Sequence, residues 1–149
     1  MSDSLKTRLQ EDVKNAMRAK DKDRLGTLRL ITAAIKQREV DERIELNDEQ
    51  VLSVLEKMVK QRREAISQYE SAGRTDLADK EASEIAIIGE FLPEPASDAE
   101  IDQAISEAIA ATGANGIKDM GKVMGILQTK LKGRADMGAI SGKVRSKLA

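Results

Sequence analysis

The last third of the chain reads Asp119-Met120-Gly121-Lys122-Val123-Met124-Gly125-Ile126-Leu127-Gln128-Thr129-Lys130-Leu131, then Asp136-Met137-Gly138-Ala139-Ile140-Ser141-Gly142-Lys143-Val144-Arg145-Ser146-Lys147-Leu148. At a 17-residue offset Asp, Met, both Gly, Lys and Leu recur in register, and Val123/Ile140, Leu127/Val144 and Thr129/Ser146 are conservative exchanges. One unit is written twice. Val123, Leu127, Leu131 and Ile140, Val144, Leu148 repeat every four residues, as one face of a helix requires, with Met120 and Met137 widening each stripe. Asp119 and Asp136 are the expected N-caps, and Gly133 suits the left-handed turn between the copies. Two copies are too few for a solenoid, so the prediction is a helical hairpin.

On a helical wheel Gly121, Gly125, Gly138 and Gly142 fall opposite the apolar stripes. A glycine inside a helix costs about 1 kcal/mol relative to alanine, so these positions ask for a reason. In one reading a partner's backbone approaches closely between Lys118, Lys122 and Lys132. In the other, Gly121 and Gly138 lie in the first turns while Gly125 and Gly142 touch neighbouring helices, the commoner use of small residues.

The rest of the composition narrows the chemistry. A length of 149 residues fits one domain or two small modules. Charged residues make up 34%, and no apolar run nears the roughly 18 residues of a membrane span, so a soluble, cytoplasmic protein is expected. The N-terminal stretch has no apolar core of a secretory signal. Cys and His are both absent, which removes thiol nucleophiles, thiolate and imidazole metal sites, and the commonest general acid/base. No metal site or cofactor is expected. Tyr69 and Phe91 are the only aromatics, so base stacking cannot be a major binding mode.

A net charge of −1 conceals segregation: residues 93–115 carry five acidic and no basic groups, whereas 116–149 carry eight Lys/Arg against Asp119 and Asp136. The cations are Lys118, Lys122, Lys130, Lys132, Arg134, Lys143, Arg145 and Lys147. A basic hairpin following an acidic helix points to an electropositive surface.

Periodicity predicts four helices before Pro93. The first starts between Ser2 and Ser4 and buries Leu5, Leu9, Val13, Ala16 and Met17. Asp21 or Asp23 caps the second, the expected central helix of its module, which is apolar over most of its circumference (Leu25, Leu28, Leu30, Ile31, Ala34, Ile35) with Arg29, Ala33, Lys36 and Gln37 on its wet side. Asn47-Asp48-Glu49-Gln50 is a capping box opening a long third helix that stops at Gly73. The fourth carries Leu77, Ile85, Ile88, Phe91 and Leu92 and runs to Pro93. In the third helix Arg62 falls near the centre of the apolar stripe, and in the fourth so does Glu84. A buried charge must be paired, so Arg62 and Glu84 are expected to form a structural ion pair.

Pro93-Glu94-Pro95 is the predicted boundary, since the residue before each proline is driven from helical geometry. Ser97-Asp98-Ala99-Glu100 is a second capping box, and the helix it opens closes at Gly113. No stretch has strand alternation. The expected fold is all-α, with an N-terminal four-helix module (1–92) and a C-terminal three-helix module (96–149).

At Lys60-Gln61-Arg62-Arg63-Glu64, Phe91-Leu92-Pro93, and above all Met120-Gly121-Lys122-Val123-Met124 through Gly133-Arg134-Ala135-Asp136, the chain resembles the GatB/YqeY family over nearly its whole length. These are stand-alone proteins similar to the helical tail of the B subunit of the glutamine-dependent tRNA amidotransferase. One departure is Met137, which stands between Asp136 and Gly138 where many members have Gly directly. The resemblance implies an all-α fold and a link to tRNA-dependent amidation and translation, because the related tail contacts tRNA. The carbon–nitrogen ligase chemistry, with glutamine as amido donor, belongs by that resemblance to a different domain of the larger enzyme.

The expectation is a non-catalytic tRNA-binding or adaptor protein. Its RNA-binding residues would be Lys118, Lys122, Lys130, Lys132, Arg134, Lys143 and Arg145 with Gly121 and Gly125, gripping phosphates and shape rather than bases. The alternatives are a helix-turn-helix that reads DNA, weakened by the few side chains at Met137-Gly138-Ala139-Ile140, and a module that binds a protein partner in translation. Catalysis would need more than Arg62, Glu84, Lys60 and Glu64, which form no nucleophile–base arrangement.

Overall fold

The computed structural model describes residues 4–149, and among them it contains α-helices, one short 3-10 turn and no strands. Four helices, α1 (Leu5–Ala19), α2 (Lys22–Glu42), α3 (Asp48–Ser71) and α4 (Thr75–Gly89), precede three more, α5 (Asp98–Thr112), α6 (Met120–Lys130) and α7 (Met137–Leu148). The chain divides into two compact units between Leu92 and Pro93, each with its own apolar core.

The helix starts are chemical. The Ser4 hydroxyl accepts from the Thr7 N–H at 3.1 Å and Asp21, not Asp23, accepts from the Arg24 N–H at 3.1 Å. Ser2 lies outside the described residues. Both capping boxes close reciprocally, Asn47 with Gln50 and Ser97 with Glu100, each satisfying two N–H groups that a helix end leaves without partners. Gly73 and Gly113 stop α3 and α5 at φ +70° and +64°, where a Cβ would be strained. Lys20 and Arg43 reach the same region at φ 56° without being glycine, and each ends its helix with its own N–H bonded back to the last turn.

In the first unit Leu5, Leu9, Leu28, Ile31, Ile35, Val51, Leu55, Met58, Ile88 and Phe91 form the core. Two expectations fail there. Met17 is 53% exposed and Leu30 47% exposed, because the core takes the face of α1 that carries Leu5, Leu9 and Ala16 and the face of α2 that carries Leu28, Ile31 and Ile35. Thr27 joins that face, its hydroxyl donating to the Asp23 carbonyl at 3.3 Å, so its burial leaves no donor unpaired. The helix α4 also ends early, at Gly89. The N–H groups of Glu90, Phe91 and Leu92 each reach back three residues, and this tighter winding places Phe91 in the core at 2% exposure.

Candidate nucleic-acid interface

The duplicated unit builds α6 and α7, and its six stripe residues, Val123, Leu127, Leu131, Ile140, Val144 and Leu148, are all buried against Ala104, Ile105 and Ala108 of α5. Burying a Leu, Val or Ile contributes about 1.5–3 kcal/mol each, enough to fix which face of each short helix points outward. Gly133 makes the intervening turn at φ +76°.

The two copies start differently. Asp136 accepts from the Gly138 N–H at 3.1 Å, so Met137 becomes the first residue of α7 and packs half-buried on the core. Asp119 does not cap α6. A 3-10 turn, Ile117–Asp119, leads into that helix, the Met120 N–H bonding back to the Ile117 carbonyl, and the Asp119 carboxylate accepts from the Asn115 N–H at 3.0 Å.

The glycines resolve in favour of open space. A Cβ at Gly121, Gly125 or Gly142 would meet nothing within 4 Å, and at Gly138 it would meet only the capping Asp136 carboxylate at 3.5 Å. Gly121 and Gly138 do lie in first turns, but Gly125 and Gly142 touch no neighbouring helix. The outer faces of α6 and α7 are therefore free for close approach.

The cations divide into engaged and available groups. Lys130 donates to Glu107 at 2.6 Å, and Lys143 lies 3.7 Å from Asp102 and 3.9 Å from Asp98. Arg134 donates to Glu100 at 2.8 Å and to the Glu94 carbonyl at 2.9 Å, while its own carbonyl accepts from the Ala96 N–H at 2.8 Å. These three lock α6 and α7 to the acidic helix. The Glu100 carboxyl is held below its ordinary pKa by the Arg134 guanidinium and by the Ser97 N–H. That of Glu107 is lowered by the Lys130 ammonium and then by the Gln103 amide.

Lys122 is 71% exposed and only 4.0 Å from Asp119. The side chains of Lys118, Arg145 and Lys147 hold no hydrogen bond or ion pair among the described residues, and Lys132 sits half-buried in the turn. The charge surplus of residues 116–149 is thus partly spent inside the unit, and what faces outward is Lys118 and Lys122 beside Gly121 and Gly125, with Arg145 and Lys147 on α7. Two apolar side chains missed by the sequence reading border this face, Ile117 at 52% and Ile126 at 38% exposure. The signal was present in the wheel, since Ile126 lies off the stripe.

In the first unit Arg62 Nε donates to Glu84 Oε2 at 2.8 Å and its Nη1 to the Met58 carbonyl at 3.2 Å. Both ion-pair side chains are 13% exposed, and Glu81 stands 4.0 Å away. The pair lies beyond Val59, the last buried residue of α3, and joins α3 to α4. Lys60 and Glu64 are exposed on the opposite side. No group of three or more carboxylates that could hold a metal occurs among the described residues, and no helix among them is long and apolar enough to cross a membrane.

A family model described as "Yqey-like protein" matches residues 6–148. Among curated proteins, the Altered inheritance of mitochondria protein 41, mitochondrial, of Pyrenophora tritici-repentis is 32% identical over 130 residues, covering 86% of this chain and 71% of the relative. Its namesake in Lachancea thermotolerans is 38% identical over 104 residues, 68% of this chain and 56% of the relative. That of Kluyveromyces lactis is 39% identical over 84 residues, 56% and 45% respectively.

Proposed function

The chain belongs to the Yqey-like protein family, and from that premise we propose that its α6–α7 hairpin is a non-catalytic surface for folded RNA, with tRNA as the partner. The observation that supports this most directly is the outer face of α6, where Gly121 and Gly125 leave open space beside Lys118 and Lys122. A sugar–phosphate backbone can approach such a face to helix-backbone distance and meet ammonium groups on its flank. The scarcity of aromatics fits recognition through phosphates and 2′-hydroxyls. Lys130, Arg134 and Lys143 belong in this reading to the scaffold, because carboxylates of α5 already hold them. A cytoplasmic location is part of the proposal and is tested by fractionation.

The test is tRNA binding measured across a salt series. Lys118→Glu, Lys122→Glu and Arg145→Glu should weaken binding, and each lost phosphate contact should flatten the slope of log K against log salt by about 0.7 to 0.9. Duplex DNA as competitor separates this reading from a helix-turn-helix. Unchanged tRNA affinity in folded charge-reversed variants would overturn it.

A protein adaptor is the second reading, favoured by exposed Ile117 and Ile126 beside the glycines. Lys122→Glu would then leave tRNA untouched while Ile126→Asp released a protein partner. Amidation of mischarged tRNA by the purified chain, with glutamine and ATP and a complete amidotransferase as control, would refute the non-catalytic assignment.

A further inference from the structure

A cavity of about 840 Å³ opens on the first unit between α1, the second half of α2 and the segment leading to α3. Leu9, Ala33, Val40 and Ile44 give it an apolar floor, and Val40 and Ile44 remain 60% and 40% exposed. Leaving side chains of that size in water forfeits the burial free energy that assembles the rest of the unit.

One end is closed by an ion cluster, Lys6 donating to Glu39 at 2.7 Å and lying 3.6 Å from Glu45. Glu39 also accepts from the Leu46 N–H at 2.9 Å. These charges are committed to each other. The side chains of Arg29 and Lys36 on the α2 wall make no hydrogen bond or ion pair among the described residues, Lys36 acting on Glu39 only at longer range, and they stand on one face of the helix, with the small Ala33 between them. The groove therefore offers aliphatic surface with the Arg29 and Lys36 cations on the α2 wall, neither held in a direct ion pair among the described residues.

We infer that this groove docks an amphipathic helix of a partner protein, laying aliphatic residues on Ala33, Val40 and Ile44 and carboxylates against Arg29 and Lys36. Length fits: from Arg29 to Val40 the helix rises roughly 16 Å, about three turns of an occupant. A nucleic acid would leave the aliphatic floor uncovered, and the described residues form no strand edge for an extended peptide to join. The site belongs to the first unit and the hairpin proposed to bind RNA to the second, so it does not depend on that assignment.

The experiment places the photo-crosslinker benzoylphenylalanine at position 33 of the full chain in cells, with position 83, exposed on α4, as control. Position 33 should give a protein crosslink absent from position 83, and mass spectrometry should map it to a segment with helical apolar spacing and an acidic flank. A synthetic peptide of that segment should bind the purified chain, and the Arg29→Glu/Lys36→Glu double variant should bind it about tenfold more weakly while tRNA binding is unaltered. If the double variant fails to fold, Ala33→Glu alone, which puts a carboxylate on the floor, should abolish peptide binding. The inference is overturned by a crosslink to nucleic acid, lipid or a second copy of this chain. It is equally overturned by a basic segment, by identical products from both positions, by no crosslink at position 33, or by peptide affinity indifferent to these substitutions.

Discussion

Gly125 and Gly142 sit mid-helix with nothing within 4 Å of where a Cβ would be, so alanine there should gain helix propensity at no steric cost. Gly125→Ala and Gly142→Ala are each expected to raise stability by up to about 1 kcal/mol, read as a shift of the urea midpoint. Gly125→Leu should fold as well and lose tRNA affinity by obstruction, with the salt slope kept. Loss of stability in either alanine variant would contradict the open face. Arg62 and Glu84 test the opposite case, a charge pair whose environment is mostly protein. Removing one partner strands the other in a mostly dry site, so Arg62→Ala or Glu84→Ala is expected to cost about 2–3 kcal/mol. The double variant should lose less than the two effects added, because it strands nothing. Strict additivity in that cycle would show that the two charges are uncoupled. The pairing was readable in advance because each residue falls on the apolar stripe of its own helix, and a charge on a stripe needs a partner across the turn. The open glycines were not: a wheel gives a residue's direction but not whether another helix lies that way.

At the scale of elements, α5 is the counter-ion of α6 and α7. The Glu100 and Glu107 carboxyls are depressed in the folded chain by Arg134 and Lys130, so their contribution to stability is complete above the ordinary glutamate pKa of about 4.3. It disappears as pH falls through the depressed folded values. Glu100→Gln/Glu107→Gln should therefore be less stable than the parent chain at pH 7, with the gap closing on acidification below about pH 4.3. Urea titrations at a series of pH values measure this, and a gap independent of pH would show that the carboxylates act as packing alone. Arg134 also ties down the proline segment through the Glu94 carbonyl. Arg134→Ala should speed proteolytic cleavage between 93 and 97, and an unchanged cutting rate would mean that the prolines alone order it. The acidic-then-basic order is plain in the sequence and points to an electropositive surface, but charge counts carry no pairing. Three of the expected RNA-binding cations, Lys130, Arg134 and Lys143, face carboxylates of their own unit.

The whole molecule has two apolar cores, one on each side of the Leu92–Pro93 junction. Leu127 is 0% exposed in the second. Leu127→Ala is expected to cost about 3 kcal/mol and to strip amide-exchange protection from α5, α6 and α7 while leaving α1 to α4 protected. Simultaneous loss in all seven helices would show that the units fold as one. By itself the sequence determined the helices, most of their caps and stops, the all-α class and the buried stripes of the duplicated unit, because each follows from local rules: spacing along a helix, a side chain that reaches a nearby N–H, a backbone angle open to few residues. Only the tertiary structure decided that Met17 and Leu30 face water, that Phe91 reaches the core from a turn, that Asp119 caps nothing, and which cations are spoken for. Those outcomes depend on which neighbours cover which face, a property of how helices distant in sequence are arranged and not of any one of them.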